Sequence, residues 1–233
     1  MKITFISDTH TKHDQITADL PGGELLIHAG DIMNSGYSAR DVVDFIDWFD
    51  CVENYNHKVF IAGNHDRMFQ NDPKGTLDIV EGYSGITYLQ DASMLYISAD
   101  GSEACKIYGS PWQPEFHNWA FNLPRGGSEL KAKWDAIPTD VDILITHGPA
   151  QGILDTSGAP YNEPNLGCEL LTERVKTIKP KIHVCGHIHG GYGYMFDGNT
   201  HFINASVLNE RYSYVNKPLT VEWNPETNEI VFI

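Results

Sequence analysis

Apolar residues fall into short runs along this chain, and between the runs they recur at helical spacing. The runs at 2–7, 24–29 and 58–62 are nearly continuous, and each gives way to Gly or a polar residue. That is the pattern of short strands covered on both faces. Between the second and third, residues 38–52 set Val42, Ile46 and Phe49 on one helical face, behind a capping signature of Ser38 and Asp41. Further strand patterns stand at 86–89, 94–98, 106–108, 143–146 and 181–185. Helices are expected at 130–137 and at 168–178, where Leu171, Val175 and Ile178 form a stripe that Pro180 ends. The tail, 191–205 and 219–233, reads as hairpins turning at Asp197-Gly198-Asn199 and Asn224-Pro225. No repeat, low-complexity tract or linker interrupts this alternation. It predicts one layered α/β domain over residues 1–233.

The polar residues are unevenly placed. Strand after strand ends in a cluster able to bind metal: Ser7-Asp8-Thr9-His10, Ala29-Gly30-Asp31, and Ala62-Gly63-Asn64-His65-Asp66. Later come Thr146-His147-Gly148 and Cys185-Gly186-His187-Ile188-His189. Ligands of open α/β sheets bind outside the carboxyl ends of the strands, so five segments would deliver Asp, Asn and His to one rim. In an extended segment, alternate side chains share a side, so Asp8 and His10, or His187 and His189, can reach one site. Carboxylate, amide and imidazole donors without thiolate suit Mn²⁺, Fe, Zn²⁺, Co²⁺ or Ni²⁺.

Charge narrows the partners. A formal net charge of −15 disfavours long nucleic acid, whose binding rests on cationic side chains. Solubility alone accounts for such a charge, but an acidic protein that handles phosphate needs metal cations to reverse the sign locally. No run approaches the ~18 apolar residues of a spanning helix, and Met1–Ser7 reaches Asp8 too early for a signal peptide. Four scattered cysteines without a C-x-x-C pair fit reduced thiols, so a cytoplasmic location away from membranes is expected.

Taken in order, Asp8-x-His10, Gly30-Asp31, Gly63-Asn64-His65-Asp66, His147-Gly148 and Gly186-His187-x-His189 resemble the calcineurin-like metallophosphoesterase superfamily. A narrower likeness lies in the runs 109–114 (Gly-Ser-Pro-Trp-Gln-Pro), 118–126 and 186–193, which resemble the metallophosphoesterase-domain proteins. The resemblance implies an α/β fold with a layered β-sandwich core flanked by helices, and two divalent metal ions, with manganese favoured. Carried over by position, Asp8, His10, Asp31 and His189 would hold one ion. Asp31, Asn64, His147 and His187 would hold the other, with Asp31 bridging. His65 would protonate the leaving oxygen, oriented by Asp66, and Asn64 would stabilise phosphoryl charge. Some relatives lack the last histidine, which this chain keeps as His189. The narrower family implies a phosphodiesterase acting on small nucleotides, such as 2′,3′- or 3′,5′-cyclic ones. A phosphoprotein or small-molecule phosphomonoesterase, and a metal-free interaction scaffold, stand as alternatives.

His28 and His183 sit inside apolar runs and read as hydrogen-bonded structural residues. His13, His57 and His201 show no partner pattern. The loop carrying Trp112, Phe116, His117, Trp119 and Phe121 could stack a base or fill a core. Trp112, Phe116, His117 and Arg125 are the candidate substrate contacts, with a surface salt bridge equally open to Arg125.

Overall fold

The computed structural model describes residues 1–233. Two six-stranded sheets face one another. In the first, β1 (Lys2–Ile6), β2 (Gly23–His28), β3 (Tyr55–Phe60) and β4 (Ile86–Tyr88) run parallel. The second contains β5 (Ala92–Ile97) and β6 (Ala104–Ser110), an antiparallel pair at one edge. A two-stranded pair, β7 (Gln113–Pro114) and β8 (Asn122–Leu123), closes the following loop. The second sheet continues through parallel β9 (Ile143–Thr146), β10 (Ile182–Cys185) and β12 (His201–Asn204), and ends in antiparallel β11 (Gly193–Phe196). The chain then returns to the first sheet, adding β13 (Leu219–Asn224) beside β1 and β14 (Glu229–Phe232) at its edge.

Ile3, Phe5, Leu25, Ile27, Val59 and Ile61 from the first sheet meet Ile107, Ile143, Ile145, Ile182, Val184 and Ile203 from the second, all fully buried. Burying each such side chain is worth about 1.5–3 kcal/mol. The outer faces are also covered. On the first sheet, Val42, Phe45, Ile46 and Phe49 of α1 (Ala39–Cys51) lie in one core with Leu26 and Phe60. On the second, Leu130 and Trp134 of α4 (Ser128–Asp135) join Leu171 and Val175 of α5 (Glu169–Ile178) and the strand residues Leu144 and Phe202. Double coverage explains why these strands read as continuous apolar runs rather than as alternation.

α1 lies where the pattern predicts, with the Ser38 hydroxyl accepting the Asp41 N–H. Both tail hairpins form. Two α-helices drew no expectation: α2 (Arg67–Asn71) and α3 (Pro73–Val80). The first is a single turn with one buried residue, Phe69, too short to show a period. The second starts on Pro73 behind an Asp72 side chain that accepts the Gly75 N–H at 3.0 Å.

Candidate metal centre

The carboxyl ends of β1, β2 and β3 on one sheet, and of β9 and β10 on the other, converge at one edge of the sandwich. Four of the acidic and imidazole residues there have left-handed backbones: Asp8 (φ 56°), His10 (φ 43°), Asp31 (φ 59°) and His187 (φ 65°). Non-glycine residues rarely take this conformation, and it turns each side chain inward at the strand end. Two glycines make the close approach possible. A Cβ on Gly63 would stand 2.3 Å from Asp31 Oδ1, and one on Gly186 would stand 2.2 Å from Asp8 Oδ2.

The imidazoles share one arrangement. Nδ1–H of His10 donates to the Met33 carbonyl at 3.0 Å, that of His147 to Ala29 at 2.9 Å, and that of His189 to Asn209 at 2.9 Å. His65 uses Nδ1 in the same way toward Asn34. A carbonyl can only accept, so each ring keeps its proton on Nδ1 and, when neutral, presents an Nε2 lone pair inward, the orientation a metal-binding histidine needs. His187 is anchored differently, through a backbone N–H shared by both Asp8 oxygens at 3.1 Å.

Two groups of donors that share no residue result, and a third set joins them. Ligand atoms of Asp8, His10 and His189 lie within 4.8 Å of one another, as do those of Asp31, His147 and His187, and the joining set, within the same distance, is His10, Asp31 and His65. Asp31 Oδ2 belongs to both neighbourhoods, 3.6 Å from His10 Nε2 and 3.4 Å from His147 Nε2. Asn64 Oδ1 stands 2.9 Å from the same His147 nitrogen. His10 Nε2 is buried and has no hydrogen-bond partner. An orphaned inward lone pair beside a carboxylate is what a divalent cation would satisfy, so the donor set fits the metals its residue types imply.

Electrostatics agree. Burial works against the charged form of His147, yet the adjacent Asp31 carboxylate outweighs it and lifts the imidazole to about 9. Burial likewise opposes a charged His189, and Asp8 lifts it to about 9. The same pairings hold Asp8 and Asp31 well below the usual carboxylate range despite their burial. His10 and His187, without so strong a partner, are pushed down by burial to about 4 and about 3. The site therefore draws positive charge at two points, Asp8 and Asp31.

A cleft of about 480 Å³ opens over both groups. The family model described as calcineurin-like phosphoesterase matches residues 1–191 of this sequence. The chain belongs to that family. It is 39% identical to the human and mouse proteins called metallophosphoesterase domain-containing protein 1, over 93% of this chain and 69% of each of theirs. A solved structure from Thermus thermophilus shares the fold at 13% identity and a TM-score of 0.64, covering 99% of this chain and 97% of that one.

Within this calcineurin-like phosphoesterase, Asp8, His10, Asp31, Asn64, His65, His147, His187 and His189 all come together. The other expected site residues divide. Phe116 is 48% exposed, lines the cleft and meets the His187 ring edge-on at 5.7 Å. Trp112 stands outside the cleft, which corrects its assignment to a base pocket: it packs edge-on against Phe121, and its Nε1 donates to Asp91 at 2.8 Å. His117 is corrected too, because it opens onto a second, neighbouring cavity. Arg125 borders the cleft, but its guanidinium is committed to Glu169 and to the Gly167 and Leu166 carbonyls. It forms the expected salt bridge, to Glu169 at 2.7 Å, from a place on the cleft wall.

Asp66 also takes a different role from the expected one. Its carboxylate accepts the backbone N–H groups of Asp31 (2.9 Å), Ile32 (3.2 Å), Met33 (2.8 Å) and Gly63 (2.6 Å). It ties the Asp31 loop to the Asn64 loop, and the Asn34 carbonyl orients His65 in its place. Burial and the nearby Asp31 charge push the Asp66 carboxyl up to about 7 against the Gly63 and Met33 N–H donors.

His28 and His183 are structural as expected. Each is buried beside a threonine hydroxyl, Thr9 at 2.9 Å and Thr146 at 2.8 Å. Sequence reasoning passed over Ser206, whose hydroxyl donates to Asp8 Oδ2 at 2.8 Å, and Asn209, whose carbonyl holds His189. Tyr212 was missed as well, a cleft residue edge-on to His10 at 4.8 Å. All three follow β12 in a segment with no metal-binding motif, and no local signal marks them.

Proposed function

We propose that this protein is a dinuclear metal-dependent phosphodiesterase that hydrolyses small nucleotide diesters such as 2′,3′- or 3′,5′-cyclic nucleotides. The observation that carries the reading is the position of Asp31 Oδ2, within 3.6 Å of His10 Nε2 and 3.4 Å of His147 Nε2, from which one carboxylate would serve two cations. Asp8, His10, Asp31 and His189 would hold the first ion, and Asp31, Asn64, His147 and His187 the second, with Mn²⁺ favoured. Such a pair, when bound, supplies Lewis acidity and a water acidic enough to lose its proton near neutrality.

The remaining work falls to the chain. The Asn64 amide faces the phosphoryl oxygens, where charge grows. His65 lines the cleft with Nδ1–H committed to Asn34, so Nε2 is its free nitrogen; as the imidazolium it passes the Nε2 proton to the leaving oxygen and is left as the neutral Nδ1–H ring. Phe116 offers a ring face to a base. A cleft of about 480 Å³ suits one nucleotide, and Glu115, Glu163 and Glu210 on its walls repel a longer polyanion. We take residues 1–233 to act as one domain, because both sheets share a core. The free thiols, exposed Cys51 among them, support a reducing, cytoplasmic setting.

A substrate panel with added Mn²⁺ tests this reading. Cyclic nucleotides and aryl diesters should turn over ahead of nucleoside monophosphates and phosphopeptides, and a chelator should abolish turnover until Mn²⁺ is restored. Faster monoester hydrolysis would make the protein a phosphomonoesterase, and purified protein that takes up no metal would make it a scaffold.

A further inference from the structure

His65 is boxed in by more than its backbone. Its ring lies flat on the Trp119 indole, with centroids 4.0 Å apart and planes 24° apart. The His10 ring meets it edge-on at 4.7 Å and 85°, and Nδ1 is tied to the Asn34 carbonyl. Trp119 is itself delivered by its neighbours. The Ala120 N–H donates to the Asn64 carbonyl at 3.0 Å, so the residue before Ala120 is brought to the residue after Asn64. On the other side, the Arg67 guanidinium donates to the Asn118 carbonyl and lies over the indole at 5.1 Å and over Tyr37 at 5.2 Å.

This indole is not a core side chain. Trp112, Ala120 and Phe121 of the same loop pack with the α1 core, whereas Trp119 is absent from it and only partly buried. It lines a second cavity, of about 800 Å³, together with Arg67, Gln70 and Asn118. His65 lines the metal cleft, so the stacked pair forms part of the wall between the two spaces.

We infer that Trp119 is a positioning residue: it fixes the plane of His65, so that Nε2 meets the leaving oxygen, and it keeps the imidazole from swinging into the neighbouring cavity. The inference rests on the reading of His65 as proton donor. Without the indole, one face of the ring is free, and rotation would break the Nδ1–H bond to Asn34. A small misplacement of a reacting group can cost as much as ~10²-fold in rate. The loss belongs to proton delivery, so it grows as the leaving group worsens.

The test pairs Trp119→Ala with Trp119→Phe and uses His65→Ala as the reference. Turnover of a cyclic nucleotide, whose sugar alkoxide needs its proton, is compared with that of bis-nitrophenyl phosphate, whose leaving group does not. Trp119→Ala should lose at least about tenfold more on the cyclic nucleotide than on the aryl diester, at full metal content, and Trp119→Phe should restore most of it. In parallel, the His65 Nδ1–H proton is followed by NMR in Zn²⁺-loaded protein. It should be slow to exchange in the parent and in Trp119→Phe, and lost to exchange in Trp119→Ala. If the proton stays protected in Trp119→Ala, the indole does not position the ring and the inference falls. Where His65→Ala does show the bias, equal losses on both substrates in Trp119→Ala would overturn it too, as would loss of metal. If His65→Ala shows no leaving-group bias while the exchange result holds, Trp119 still positions the ring, and it is the proton-donor reading that fails.

Discussion

Asp31 Oδ1 accepts the backbone N–H of His65 at 2.7 Å, while its other oxygen faces His10 and His147. One carboxylate thus connects both donor groups and holds the backbone of the residue proposed to deliver the proton. Asp31→Ala should therefore lose both metals and all turnover, as metal analysis alongside activity will show. His28→Ala is the control. It removes a hydrogen-bonded buried ring and should lower the melting temperature, at a cost of about 1–3 kcal/mol, with two metals per chain retained. An Asp31→Ala protein that purifies with two metals would refute the bridge.

Ser206→Ala removes the hydroxyl that donates to Asp8 Oδ2 at 2.8 Å and leaves every proposed ligand in place. Outer partners of ligating carboxylates typically contribute a factor of about 10–100 in metal affinity. A competitive chelator titration should show one of the two ions weakened by that order. Two ions that both keep parental affinity would mean the hydroxyl serves the fold alone.

His65→Ala should keep both ions and lose turnover by about 10²–10⁴ on a cyclic nucleotide, with a far smaller loss on bis-nitrophenyl phosphate. Similar losses on the two would mean that His65 binds phosphoryl oxygens. Asp66→Asn, by contrast, should carry no leaving-group bias. Its carboxylate serves four backbone N–H groups of the Asp31 and Gly63 loops, so the defect should appear in metal content and stability.

Phe116 and Trp112 separate binding from packing. Phe116→Ala should raise KM for nucleotides by several-fold or more, in line with about 1–3 kcal/mol per stacked base, and leave the melting temperature alone. Trp112→Ala removes a ring packed on Phe121 and bonded to Asp91. It should lower the melting temperature and affect nucleotide and aryl substrates equally. The opposite pattern in either variant would reassign that residue.

His183 links stability to pH. Burial pushes its imidazole down to about 3 from the ordinary 6.5, so the folded state keeps it neutral while the unfolded state protonates it as pH falls below about 6.5. The stability this contributes is complete above that value and declines with acid toward about 3. At about pH 5 the loss from one such group is on the order of 2 kcal/mol. Urea denaturation at about pH 7 and about pH 5 should show His183→Gln losing less stability on acidification than the parent. An unchanged pH slope would show that His183 does not titrate between the two states.

The family of this protein and the donor clusters at its strand ends were legible in its residues. Apolar runs marked most strands, because both faces of each central strand are covered. The clusters after them, Asp8 to His10 through His187 to His189, follow from where a sheet ends. Those features are local: a strand, its last residue and the next two or three are neighbours in the chain. α2 and α3 were not legible, since a one-turn helix has no period to read and α3 is short.

What tertiary structure alone decided is the role each side chain plays, because roles rest on contacts between residues distant in the chain. Asn34 orients His65, Ser206 reaches Asp8 and Asn209 fixes His189. Asp66, adjacent to His65 in sequence, spends its carboxylate on the 31–33 loop instead. Among the aromatics of the 112–121 loop, composition made no distinction. Packing sent Trp112 and Phe121 inward, Phe116 to the cleft and Trp119 onto the face of His65. The sequence determined which donors the strand ends would offer. Folding determined which nitrogen each imidazole turns inward, because that depends on which distant carbonyl takes the other one.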